Sequence, residues 1–133
     1  MQPTDVARTR RVLVVDDEPA LRTLCQRLVW SLGHECEVAD SSVEVAKLVA
    51  DSPFDLILCD YRLRGETAEA VVDAIAAVAP SLVSRVVLTS GAMGDPEVSA
   101  LAEEHGLGVI SKPYGMSELV QAIERAAAGD PRS

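Results

Sequence analysis

Two short apolar runs, each ending in carboxylates, constrain this chain more than any other feature. Arg11-Val12-Leu13-Val14-Val15 leads into Asp16 and Asp17, and Phe54-Asp55-Leu56-Ile57-Leu58-Cys59 leads into Asp60. A strand buried on both faces reads as a continuous apolar run, and the residue just past its carboxyl end emerges into a crevice. If the two strands are neighbours, three carboxylates meet. Like charges at that separation repel and raise one another's pKa, so the arrangement calls for a cation between them.

The rest of the chain supplies the neighbours. Pro19 stands at a first helical position, and Leu21, Leu24, Leu28 and Leu32 recur at helical spacing up to Gly33. His34 to Ala39 alternates apolar and polar like a half-buried edge strand. Ser41 and Glu44 form a capping box for a helix carrying Val45, Leu48 and Val49. After Asp60, Tyr61 to Gly65 reads as a loop, followed by a helix from Thr67 to Ala79 that Pro80 stops. Ser84 to Leu88 reads as a fourth strand ending in Thr89 and Ser90, with a small-residue loop at Gly91 to Gly94 behind it. Asp95 and Pro96 cap a helix to His105, closed by Gly106. Leu107 to Ile110 gives a short fifth strand, Ser111-Lys112-Pro113 leaves the sheet, and a last helix runs from Met116 to Ala128.

Five strands alternating with five helices predict an α/β fold: a flavodoxin-like, doubly wound parallel sheet with right-handed crossovers. The common order, 2-1-3-4-5, puts strands one and three side by side at the topological switch point. The expected division is a frayed segment over residues 1–10, one domain over 11–128 and a tail over 129–133.

Composition removes several function classes. The 21 acidic against 12 basic residues, a net charge of -9, argue against direct binding to nucleic acid. Cys25, Cys36 and Cys59 lie in apolar segments without Cys-x-x-Cys spacing, as reduced core residues of a cytosolic protein do. No apolar run approaches the ~18 residues of a membrane helix, and the amino end lacks a signal-peptide core, so a cytoplasmic protein without a membrane partner is expected. The scattered glycines match neither a dinucleotide fingerprint nor a Walker loop.

The unusual polar residues all fall at strand carboxyl ends: Asp16 and Asp17, Asp60, Thr89 and Lys112. Clustered carboxylate oxygens with room for water select Mg²⁺, with Mn²⁺ as the second ion such a donor set admits. A hydroxyl and a long ammonium beside them suit the equatorial oxygens of a phosphoryl group. The chemistry this suggests is phosphoryl transfer to a carboxylate nucleophile.

From Arg11 to Ala128 the chain resembles the receiver domain of a two-component response regulator. Four signatures carry the resemblance in order and spacing: Val14-Val15-Asp16-Asp17-Glu18-Pro19, Asp60 after an apolar strand, Leu88-Thr89-Ser90-Gly91, and Lys112-Pro113-Tyr114. The resemblance implies that Asp60 accepts a phosphoryl group from a phosphohistidine of a histidine kinase or histidine phosphotransfer protein. It assigns Mg²⁺ to Asp17, Asp60 and the main-chain carbonyl of Arg62, with Asp16 acting through water, Thr89 hydrogen-bonding the phosphoryl group and Lys112 pairing with it. It further implies a cis bond before Pro113 and a signalling domain that is not an enzyme in its own right, though it assists its own phosphorylation and dephosphorylation. The changed surface would be read by an unknown downstream protein or by a phosphorylation-linked homodimer, through a two-state loop at Gly91 to Asp95. Val109 occupies the position where many members carry an aromatic switch, and Tyr61-Arg62-Leu63-Arg64-Gly65 replaces the common x-x-Met-Pro, as in stand-alone and hybrid-kinase receivers.

Blander readings compete with this one. An Asp at a strand end is more often a turn former, Thr89 could be a β-branched strand residue and Lys112 a solvated lysine; their common register favours a site. Trp30 is assigned to packing, and His34 and His105 to the surface. The alternative function is a constitutive protein-interaction module of the same fold, not regulated by phosphorylation. A hydrolase lacks a histidine near the strand ends, and a flavin carrier would need more than the 3% of aromatic residues present.

Overall fold

A computed structural model describes residues 9–91 and 94–127 of the chain. The expected frayed start (residues 1–8 of it), the end of the last helix at Ala128, the tail and two residues of the Gly91 to Asp95 loop lie outside the described residues. Strands β1 (Arg11–Val15), β2 (Glu35–Ala39), β3 (Leu56–Asp60), β6 (Val86–Ser90) and β7 (Gly108–Ser111) form one parallel sheet in the order β2-β1-β3-β6-β7. Helices α1 (Pro19–Ser31), α2 (Ser42–Asp51), α3 (Ala68–Val78), α4 (Pro96–His105) and α5 (Met116–Ala127) cover both faces. With the two short strands β4 (Arg62–Leu63) and β5 (Glu66–Thr67) set aside, the order is 2-1-3-4-5, as expected.

Strand parity divides the core. Leu13, Val15, Ile57, Cys59, Val86 and Leu88 face α2, α3 and α4, where Val45, Val71, Ile75 and Leu101 meet them. Val12, Val14, Leu56, Leu58 and Val87 face α1 and α5, against Val29, Leu119 and Ile123. Because successive strand side chains alternate between faces, each central strand must be apolar throughout. That is why β1 and β3 read as unbroken apolar runs.

Several local expectations are corrected. Strands β4 and β5 pair as a small antiparallel hairpin where a loop was expected, turned at Gly65 with φ +79. Leu63 tucks into the core and Glu66 accepts from both the Ser42 main-chain N–H, at 2.8 Å, and its hydroxyl, at 2.7 Å. Ser84 and Arg85 belong not to the fourth strand but to a 3₁₀ segment, Pro80–Arg85, that brings the chain from α3 into β6. Only half of the expected capping box forms: Ser41 accepts from the Glu44 N–H, while the Glu44 carboxylate accepts from Asp40 N.

Trp30 is 54% exposed rather than packed. The buried stripe of α1 is Cys25 and Val29, and one further residue turns Trp30 ~100° away from it. Leu21, Leu24, Leu28 and Leu32 flank that stripe, half-buried or exposed, instead of forming it. His34 has a partner that its sequence neighbours did not suggest, its Nδ1 accepting from Arg10 N at 3.0 Å. The three cysteines are buried and free, as expected, and burial pushes the Cys36 thiol up to about 12.

Candidate functional site

The same parity that builds the core builds the site. Asp16 continues the row Val12-Val14, Asp60 the row Leu56-Leu58, Thr89 follows Val87, and Lys112 follows Ile110. These four side chains belong to the rows that face α1 and α5, carried past the carboxyl edge, where the helices no longer cover them. Register then brings them together: Val15 pairs with Cys59, Asp60 with Thr89, and Thr89 with Ile110. Asp17 lies one residue beyond Asp16, in the turn that leads to α1.

Carboxylate oxygens of Asp16, Asp17 and Asp60 lie within 4.8 Å of one another. Lys112 Nζ donates to Asp16 Oδ2 and to Asp60 Oδ2, each at 3.2 Å. The loop carrying Lys112 is fixed by its own main chain, whose N–H donates to Ser90 O at 2.7 Å, and the peptide before Pro113 is cis, as the resemblance implied. Asp16 is tied on both oxygens, since Oδ1 accepts the Glu18 N–H at 2.9 Å. Arg22 on α1 donates to the Asp16 carbonyl at 2.7 Å. Thr89 is buried at 3% exposure beside Asp60, and Tyr61 N–H donates to its carbonyl.

Burial raises the pKa of Asp60 above the usual carboxylate range; the Lys112 ammonium and the Arg62 main-chain N–H pull it partly back, while Asp16 pushes it up. Burial opposes the Lys112 charge, but attraction and hydrogen bonds to Asp60 and Asp16 outweigh it, leaving its pKa raised. Three carboxylates face one ammonium, so acidic groups are in excess. An oxygen-only donor set with that uncompensated charge fits a hard divalent cation. The arrangement therefore has the donors to hold a cation and a phosphoryl group around the Asp60 carboxylate.

Two features leave no trace in the sequence pattern. Leu21, Leu24, Cys25 and Leu28 of α1, with Pro113 and Tyr114, line a groove of about 260 Å³ that abuts Asp16 and Lys112. Its leucines have the spacing of a core stripe, and only the helix rotation shows that they border an opening. Cys25 Sγ and the Tyr114 hydroxyl, both lining it, are 2.8 Å apart. The second feature is the Arg62 side chain, for which only a main-chain role was expected. It pairs with Asp95 and Glu97 at the start of α4, at 2.9 Å each. Val109 is 49% exposed on β7.

Comparison with known proteins gives one consistent result. The family described as response regulator receiver domain matches residues 12–124. The DNA-binding transcriptional regulator NtrC of Azospirillum brasilense is 30% identical over 115 residues, 86% of this chain but 24% of that protein. The chain spans about a quarter of the length of the curated relatives it matches first. Among solved structures, the receiver domain of the sensor histidine kinase PA1611 from Pseudomonas aeruginosa PAO1, with magnesium coordinated in its active-site cleft, superposes with a TM-score of 0.77. It is 19% identical, over 90% of this chain and 98% of that one. The beryllofluoride-activated NtrC4 receiver domain, a dimer in solution, gives 0.77 at 23% identity over 90% and 97%. Both share the fold.

Proposed function

This chain belongs to the response regulator receiver domain family, and from that premise we propose that it is a working phosphoacceptor whose nucleophile is Asp60. The observation that carries the proposal is the paired placement of Lys112 Nζ, 3.2 Å from both Asp60 and Asp16, over a cluster of three carboxylates. A module kept only for binding would gain nothing from three clustered acids, which cost stability when no cation is bound.

In the proposed reaction an Asp60 carboxylate oxygen attacks the phosphorus of a phosphohistidine. The P–O bond forms as the P–N bond breaks, and the imidazole nitrogen leaves with the electron pair. Lys112 and Thr89 stabilise charge on the equatorial oxygens, and Lys112 also keeps Asp60 from being repelled by Asp16. Asp17, Asp60 and the Arg62 carbonyl would hold Mg²⁺. With both oxygens of Asp16 already accepting hydrogen bonds, its geometry supports action through water. The ion would supply positive charge against the phosphoryl oxygens.

The apolar groove beside Lys112 offers a histidine-bearing partner, a histidine kinase or phosphotransfer protein, a surface next to the acceptor. The NtrC4 dimer supports a phosphorylation-linked homodimer as one output, with a downstream protein as the other. Among the described residues no helix is long and apolar enough to cross a membrane, which supports a cytoplasmic setting. Incubation with Mg²⁺ and acetyl phosphate is expected to add one phosphoryl group per chain by intact mass, and none with EDTA present. Binding of Mg²⁺ without any labelling, with acetyl phosphate or with a phosphohistidine donor, would favour the constitutive module instead.

A further inference from the structure

The Arg62 side chain spans the space between the Asp60 loop and α4. Its guanidinium donates to Asp95 Oδ2 and Glu97 Oε1, at 2.9 Å each, and lies 5.3 Å from the centre of the buried Tyr61 ring. The Asp95 side chain is 9% exposed and also caps α4, its Oδ1 accepting the Glu97 N–H at 2.9 Å. That N–H and the guanidinium hold the Asp95 carboxyl below its ordinary range. One side chain thus fastens Arg62 and the first turn of α4 together. Gly94, with φ +72, directly precedes the cap, at a backbone setting that glycine adopts without strain.

At its other end, Arg62 is joined to the reacting group. It follows Asp60 by two residues, in β4 directly after β3, so its backbone belongs to the segment that carries the acceptor. When Asp60 becomes an acyl phosphate, its bonded oxygen turns ester-like and a weaker acceptor, while roughly 1.5 to 2 negative charges settle on the phosphoryl oxygens. The Arg62 backbone lies two residues from that new charge, and its side chain is anchored on the α4 cap. Position 109, where an aromatic could swing, offers only an exposed valine.

We propose that Arg62 is a positioning residue that couples the phosphorylation state of Asp60 to the start of α4, through its ion pairs with Asp95 and Glu97. The inference rests on the phosphoacceptor reading and adds the route by which that state reaches the surface. Arg62 is 60% exposed at its side chain, so its replacement spares the core.

The test compares amide chemical shifts of α4 before and after acetyl phosphate and Mg²⁺ in wild type, Arg62→Ala, Arg62→Lys and Glu97→Gln, with labelling followed by intact mass. Wild type is expected to show shifts through the first turn of α4. In Arg62→Ala the α4 response is read per labelled molecule, whatever the labelled fraction, and shrinks at least about fivefold, the low end of ordinary coupling strengths. Arg62→Lys and Glu97→Gln retain part of it. A labelled Arg62→Ala protein with an undiminished α4 response overturns the inference and leaves the phosphoacceptor reading intact. So does a labelled wild type whose α4 amides do not move. Failure of wild type to take up a phosphoryl group removes both.

Discussion

Asp60→Asn is expected to reduce metal-dependent phosphoryl uptake by at least about 10²-fold, because the amide oxygen that replaces the carboxylate is a poor nucleophile. The same substitution should stabilise the metal-free protein, a gain opposite in sign to that of most substitutions. The reason is the net direction at Asp60: burial and the neighbouring Asp16 disfavour its charge more than Lys112 and the Arg62 N–H favour it. The sign of the pH dependence follows. Asp60 holds its proton more tightly folded than unfolded, so its contribution to stability is full below the ordinary carboxylate pKa of about 4 and is lost as pH rises through the higher folded value. The advantage of the Asn variant should open between about pH 4 and neutrality and close on acidification. Urea denaturation in EDTA across that range checks it, and saturating Mg²⁺ should reverse the order by stabilising wild type more than the variant.

Lys112→Ala is expected to do the reverse to stability. Its ammonium is the one cation bonded to both Asp16 and Asp60 among the described residues, and all three side chains are mostly buried, at 19%, 9% and 14% exposure. Removing it leaves two acids facing each other without relief. A fully buried broken pair costs about 3–5 kcal/mol; the partial exposure here and the remaining water access reduce that to roughly 1–3 kcal/mol in the metal-free protein. Mg²⁺ should restore part of the loss. Phosphoryl uptake should persist, since the nucleophile remains, but at a rate lower by roughly 10²-fold, the scale of losing one preorganised donor to developing charge. Denaturation with and without Mg²⁺, together with the labelling rate, separates the two effects. An unchanged rate would remove Lys112 from the proposed chemistry.

The sheet and the convergence of Asp16, Asp17 and Asp60 were legible because a buried parallel strand leaves a simple trace, an apolar run with a polar end. Parity explains why Thr89 and Lys112 were legible as well: each sits two residues along from an apolar neighbour on the same face. Rotation about a helix is less legible. Leu21, Leu24 and Leu28 have the spacing of a core stripe, yet Cys25 and Val29 take the core and the leucines border the groove. The pattern fixes a stripe only to within the width of a residue, and a small thiol beside a valine packs closer to the sheet than a row of leucines. Trp30 was misplaced for the same reason. The hairpin of Arg62–Leu63 and Glu66–Thr67 was missed because two-residue strands are too short to show a period. The Arg62 pairs join residues 33 and 35 positions apart, a separation at which one sequence holds no local signal.

The most direct measurement maps the phosphoryl group itself. Protein labelled with acetyl phosphate and Mg²⁺ is reduced with borohydride, which converts an aspartyl phosphate to homoserine, and the peptides are sequenced by mass spectrometry. Homoserine is expected at position 60 and nowhere else, and absent without Mg²⁺. Label that maps to Asp16 or Asp17, to His34 or His105, or to no carboxylate at all would contradict it.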